Sequence, residues 1–389
     1  MKSILFLMLP ICMLAGSNLS CSAARCRLFK FATRADFKNF QLKNAKWDDS
    51  AGGITAKHPS DNKGLGSEIK PVLVESPIVE TNVPAGEIVV SWNSITPPGS
   101  YLHVYVRTRH GDFWSKRFTV AIWNRDNKPT QRTSLKLQKD MFGRMESDTL
   151  FLDTPADAFR VSAKLCSTDG VNYPTLRMLT VSAIATNPVK FPTRARKSAW
   201  GVDIPVPERS QLTVPDGNRF CSATSTAMVL DFWAQKLNRP ELSVPLQTAV
   251  DGIYDVGWGG TGNWTFNTAY AAEFGGIRAY VTRFGSLAEL EMWIAQELPV
   301  IVSVDYNKLR GRQTKQRMGH LMVLRGFTET GDPIFNDPYT FLDKGESVRK
   351  VFQRKNFERS WLTQEGSRGT VYLIYPDTWK IPRNKYGTW

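Results

Sequence analysis

From about Arg25 to Ile184 apolar and polar residues alternate in short runs: "GEIVVSWNSI", "YLHVYVRTRHG", "FTVAIWN", "AFRVSAKLCS" and "LRMLTVSAIA". "TPPGS", "RDNKP" and "STDGVN" interrupt them with turn residues. Period-two runs bounded by Gly, Pro, Asn and Asp predict an antiparallel all-β sandwich, jelly-roll-like, over 25–185. The pattern stops at "TNPVKFPTRARKSAWGVDIPVP", which has prolines and basic residues but no period, and reads as a linker over 186–200. After it the period changes. "FCSATSTAMVLDFW" (Phe220 to Trp233) predicts a helix whose apolar side holds Ala227, Val229, Leu230, Phe232 and Trp233. "NTAYAAEFGG" and "SLAELEMWIAQELP" predict two more, the latter with Ser286 and Glu289 in capping-box spacing. Strands are then predicted at "VIVSVDY", "HLMVLRGF", "PIFNDP" and "TVYLIYP", giving an α+β domain over 201–389.

The first residues follow neither pattern. Lys2 and the apolar run Ile4 to Gly16, followed by small residues, predict a secretory signal peptide over 1–24, cleaved after Ala24. The alternative is acylation at Cys21, although Asn18-Leu19-Ser20 fit a lipoprotein box poorly. The expected location is secreted, periplasmic or cell-surface. No later segment approaches the ~20 apolar residues a bilayer span requires.

The 389 residues carry a formal charge of +14, which favours anionic partners such as an anionic glycan or a cell-envelope surface. No basic block is dense enough for a nucleic-acid arm, and "RARKSAW" reads as exposed linker. Removal of the leader leaves Cys26, Cys166 and Cys221. In an oxidising compartment one disulfide then leaves one thiol. Cys26 and Cys166 share the first half and form the expected pair, which singles out Cys221.

Cys221 stands at a predicted helix start, where the helix dipole favours a thiolate. Its other reading is a small core residue. His320, the sole histidine after the linker, opens a strand 99 positions later, and Asp337 ends the next strand 17 positions after that. An imidazole moves protons near neutral pH, and a carboxylate fixes its tautomer. The "TETGD" hairpin would bring these two together. Asn263, Trp264 and Phe266 in "GNWTFN" either line a substrate cleft or form a hydrophobic wedge at the domain core. No metal-ligand spacing or phosphate-cradling loop is visible in the second half, and no cofactor is expected.

From about Trp200 to Pro376 the sequence resembles the papain-like cysteine peptidases, in the branch similar to bacteriocin-processing, double-glycine peptidases. The text that carries the resemblance is "VPERSQ", "FCSATSTAMVLDFW", "GNWTFNTAYAAEFG", "GHLMVLRGF" and "NDPY". It implies that Cys221 is the nucleophile, His320 the general base and acid, and Asp337 the orienting residue of a secreted peptidase or amidase. It also implies a glutamine oxyanion donor, commonly about six positions before the cysteine. Pro215 stands there, so the role falls to Gln211, ten before. Ala223 stands where such relatives often have proline. Those relatives sit on membrane transporters, and with no transporter segment visible here their double-glycine specificity is not carried over. Two other readings stay open. One is a carbohydrate- or cell-wall-binding protein with an inactive papain-like domain, binding through Trp92, Phe113, Trp114 and Trp123, although a sandwich core itself calls for such alternating aromatics. The other is a transamidase.

Overall fold

The computed structural model describes residues 26–57, 71–187, 194–363, 367–383 and 386–389. The expected leader and residues 188–193 of the expected linker lie outside them.

The first half is all-β. The long strand Thr149–Ser167 pairs through its first part with Val79–Ile95 and through its second with Ser100–His110. Register breaks fall between Phe151 and Ala158. The strand thus ties its neighbours into one continuous antiparallel ladder of 13 described strands, where separate sheets are expected from the pattern alone. Ser100–His110 alternates buried and half-buried along its whole length, as a strand with one face on a core should. Val79–Ile95 alternates only at first; from Glu87 to Ser94 every residue is buried. This double-sided burial marks where the second half docks.

The second half places helices beside a six-stranded antiparallel sheet. The helices are α1 (Cys221–Leu237), α2 (Leu246–Ile253), α3 (Trp264–Ala272), α4 (Leu287–Ile294), α5 (Tyr306–Leu309) and α6 (Arg354–Leu362). The sheet runs in the order Ile277–Arg283, Thr370–Pro376, Val300–Asp305, Gly319–Phe327, Pro333–Asn336, Arg349–Val351. Helix α1 is enclosed from Ser222 to Ala234, so its polar side chains need partners. Ser222 meets the Tyr372 hydroxyl at 3.0 Å, Ser225 donates to the Leu321 carbonyl at 3.1 Å and Thr226 donates to Asn267 at 3.1 Å. The capping box of α4 is realised in one direction: Glu289 accepts from the Gly285 amide at 2.7 Å and from the Ser286 hydroxyl at 3.2 Å, while Ser286 caps no amide.

The two halves are joined by buried polar contacts. Ile277–Arg283 is an edge strand, and an open edge leaves backbone groups unpaired. Here first-half side chains satisfy them. Asn93 bonds both the amide and the carbonyl of Ala279 (3.1 and 2.6 Å), Ser91 accepts from Val281 N at 3.0 Å, and Ser182 donates to Val281 O at 2.9 Å. At the same edge buried Arg283 pairs with buried Glu87 at 2.7 Å, and Arg368 also pairs with Glu87. Glu273, at the end of α3, receives Ser94 Oγ (3.0 Å), Thr96 Oγ1 (2.9 Å), Thr96 N (2.9 Å) and Trp123 Nε1 (2.8 Å). Arg132, fully buried, donates to the Asp251 and Tyr254 carbonyls at the end of α2.

Cys26 and Cys166 are both free, which corrects the expected disulfide. Cys26 pairs across the ladder with Ile184 and lies against Thr282, whereas Cys166 pairs with Tyr101. Each is committed to a different strand partner, and burial raises both thiols. No helix among the described residues is long and apolar enough to cross a membrane.

Candidate active site

Cys221 is the first residue of α1 and half-buried. Phe220 precedes it without capping the helix through a side chain, so the first-turn amides and the helix dipole act on the sulfur. His320 opens the strand Gly319–Phe327, opposite Val304 of the neighbouring strand. Its Nε2 donates to Asp337 Oδ1 at 2.8 Å. The imidazole also acts on the Cys221 thiol, and with Nε2 taken by Asp337 the nitrogen left for the sulfur is Nδ1. The hairpin closes as its sequence predicts: Phe327 pairs with Pro333 and Val323 with Asn336, so Asp337 falls beside His320. The bond from Ser225 to Leu321 O fixes α1 against the strand one residue beyond His320.

Asp337 is fully buried and all its lone pairs are engaged. Besides His320, Oδ1 accepts the Tyr339 amide at 3.0 Å, and Oδ2 accepts the Tyr306 hydroxyl at 2.6 Å and Lys350 Nζ at 3.0 Å. The Tyr306 ring also lies against the His320 ring, with centroids 4.4 Å apart. Neither Tyr306 nor Lys350 is singled out by sequence. The signal for Tyr306 is register: it directly follows the strand that pairs with His320. Lys350 comes from the three-residue edge strand Arg349–Val351, which carries no pattern.

Three titrations shift together. Burial alone would raise Cys221 and Asp337 and lower His320; the partners reverse each direction. Cys221 is lowered by its hydrogen bond to His320, the imidazolium charge and nearby backbone amides. His320 is raised to about 9 by Asp337 and Cys221. Asp337 is lowered to about 2 by His320, Lys350 and Tyr306. These directions favour the charged thiolate–imidazolium pair over the neutral one.

Gln211 is buried beside this group. Its amide N–H donates to Pro338 O at 2.9 Å, and Ser210 Oγ donates to Thr340 O at 2.6 Å, so the segment is docked on the turn that follows Asp337. Side-chain Nε2 donates to Gly217 O at 2.6 Å, which leaves its second N–H uncommitted. The ten-residue spacing is compact because the chain folds back between Gln211 and Gly217. Asp216 adopts a left-handed conformation there, and a Cβ on Gly217 would collide with the Gln211 carbonyl.

The "GNWTFN" residues are taken up in packing and capping, the core side of the two readings. Phe266 is fully buried, its ring centroid 6.0 Å from that of Trp92 and 5.3 Å from that of Trp123. Asn263 caps α3 by accepting from Phe266 N at 3.2 Å and gives its amide to Asp255 at 2.8 Å. Trp264 is half-buried, and its backbone N–H donates to Asp148 of the first half at 2.6 Å. All three serve the junction between the halves. Trp92 and Trp123 are enclosed there too, so neither offers a glycan-stacking face; Phe113 is exposed and Trp114 half-buried.

A cysteine at a helix start, joined to a histidine that a buried carboxylate holds, is the arrangement of the papain-like cysteine peptidases. Residues 203–368 match the family model of the Peptidase_C39 like family, and residues 27–184 match that of the peptidase C39 N-terminal domain. Matched in both halves, the chain belongs to the C39-like branch of that class. Among solved structures it is similar to a C39-like protein of Bacillus anthracis, at 20% identity over 45% of this chain and 98% of that one, with a TM-score of 0.33. It is also similar to the catalytic domain of a GH87 α-1,3-glucanase, at 13% identity over 49% of this chain and 33% of that one, with a TM-score of 0.19. Both scores are too low to bear on fold or activity. No curated protein matches the chain.

Proposed function

We propose that the protein is a cysteine peptidase or amidase of papain-like fold that hydrolyses an amide bond through Cys221, His320 and Asp337. The observation that carries the reading is the convergence of Cys221 at a helix start, His320 at a strand start and buried Asp337 after a strand end, with His320 Nε2 2.8 Å from Asp337 Oδ1 and the imidazole acting electrostatically on the thiol. Sulfur attacks the carbonyl carbon. The oxyanion takes the free N–H of Gln211 and the Cys221 amide. His320 gives its proton to the leaving amine as the carbon–nitrogen bond breaks, leaving a thioester. It then takes a proton from water, whose oxygen displaces the sulfur and releases the acid. Asp337 keeps the imidazole oriented and steadies its cationic form. With the expected leader, the protein acts outside the cytoplasm on a peptide or protein.

The test is turnover on a library of internally quenched peptides by wild type and Cys221→Ala. Cleavage that Cys221→Ala abolishes while thermal unfolding is retained is expected; cleavage unchanged in that variant would overturn the reading.

A further inference from the structure

The loop between α5 and the strand of His320 reads "RGRQTKQRMG" (Arg310 to Gly319). It carries Arg310, Arg312, Lys315 and Arg317 and no carboxylate, and all ten residues are exposed. Most exposed basic loops are only solvated, but this one is held, and held by the site. The Met318 carbonyl accepts the Tyr306 amide at 2.7 Å, and the Gln316 carbonyl accepts Asn307 Nδ2 at 2.9 Å. Arg312 N donates to Asn307 O at 2.9 Å, and the Arg310 guanidinium lies 5.1 Å from the Tyr306 ring centre. Tyr306 therefore closes the loop with its backbone, lies against His320 with its ring and holds Asp337 with its hydroxyl. The loop's last residue precedes His320 directly.

If the proposed function holds, His320 must reach the leaving nitrogen, so the imidazole stands on the leaving-group side of the scissile bond. The loop that runs into His320 then flanks the same side. We propose that Arg310 to Gly319 forms a subsite for carboxylate-bearing residues downstream of the cleaved bond, so that the substrate is an acidic peptide. This proposal rests on the proposed function and names its substrate class. The formal charge of +14 acts in the same direction at longer range.

The test uses the full chain and two thiol reagents of similar size, anionic iodoacetate and neutral iodoacetamide. The readout is the ratio of their alkylation rates at Cys221. Arg312→Glu/Lys315→Glu should lower the iodoacetate-to-iodoacetamide ratio about fivefold at ~10 mM salt, the size expected if the four-unit change of charge acts on the anionic reagent through water over about 12 Å. The effect should shrink to within about twofold at ~0.5 M salt. Arg312→Gln/Lys315→Gln, which disturbs folding least, should give about half the effect on a logarithmic scale, near twofold. In parallel, kcat/KM for a quenched peptide with Glu downstream of the bond, relative to the same peptide with Gln, should fall in both variants. Ratios equal to wild type, with brisk alkylation, would overturn the subsite while leaving the thiolate intact. A Cys221 that neither reagent reaches would overturn the proposed function beneath it.

Discussion

Tyr306→Phe separates positioning from chemistry at this site. The substitution removes one hydroxyl and keeps the ring that lies 4.4 Å from His320. What is lost is a 2.6 Å hydrogen bond to a buried carboxylate. Hydrogen bonds to charged groups contribute about 1.5–3 kcal/mol. Asp337 keeps His320, the Tyr339 amide and Lys350, so its charge stays compensated. The whole lowering of Asp337, from 3.8 to about 2, corresponds to about 2.5 kcal/mol, and Tyr306 contributes less to it than His320 or Lys350. The variant should therefore lose about 1–2 kcal/mol of stability and less than about tenfold in kcat/KM. Its acid limb should move up by less than about one pH unit. Asp337→Ala is the contrast. It strands His320, Tyr306 and Lys350 around an empty position and should cost about 3–5 kcal/mol, the range for breaking a buried ion pair from one side. Denaturant midpoints and pH–rate profiles of the two variants would be measured together. A Tyr306→Phe variant of wild-type stability that loses 100-fold or more in kcat would refute the positioning role, because the hydroxyl would then have to act on substrate.

Three other outcomes follow from the same geometry. Gln211→Ala should lower kcat by about 10²–10³ while Cys221 still alkylates rapidly, since the amide is assigned to the oxyanion and not to the thiolate; turnover and labelling rates measured side by side check it. Glu273→Ala leaves Ser94, Thr96 and Trp123 donors unpaired in the junction and should cost about 3 kcal/mol, read from the denaturant midpoint, with kcat of the folded fraction retained. Stability should depend on pH in two windows. His320, raised from 6.5 to about 9, contributes fully below 6.5 and loses that contribution as pH rises through 9. Asp337, lowered from 3.8 to about 2, contributes fully above 3.8 and loses it as pH falls through 2. The stability gap between wild type and His320→Gln should accordingly narrow from pH 6 to pH 10 in denaturant titrations.

What the sequence made legible was local. Alternation located the long strands of the first half, and the change of period located α1. The "TETGD" turn between two apolar runs was enough to set Asp337 beside His320, because a short hairpin fixes register. What it hid depends on surfaces that meet only in three dimensions. Phe266, between glycines and a helix, could be read as a cleft or a core residue; the Trp92 ring that meets it lies over 170 positions earlier. Glu87, Ser91 and Asn93 look like the solvent face of a strand, yet they pair with Arg283, Val281 and Ala279. The expected disulfide fails because counting cysteines carries no geometry, and strand pairing sends Cys26 and Cys166 to different neighbours. Lys350 was illegible for the opposite reason: a three-residue edge strand is too short to show any period.

The most direct test of the central claim is alkylation of Cys221 by iodoacetamide from pH 4 to pH 9, mapped by mass spectrometry, in wild type and His320→Ala. Fast labelling at Cys221 well below pH 8 in wild type, with that low-pH reactivity lost in His320→Ala, is the expected result. Labelling only after denaturation, or an identical pH profile in the two proteins, would contradict it.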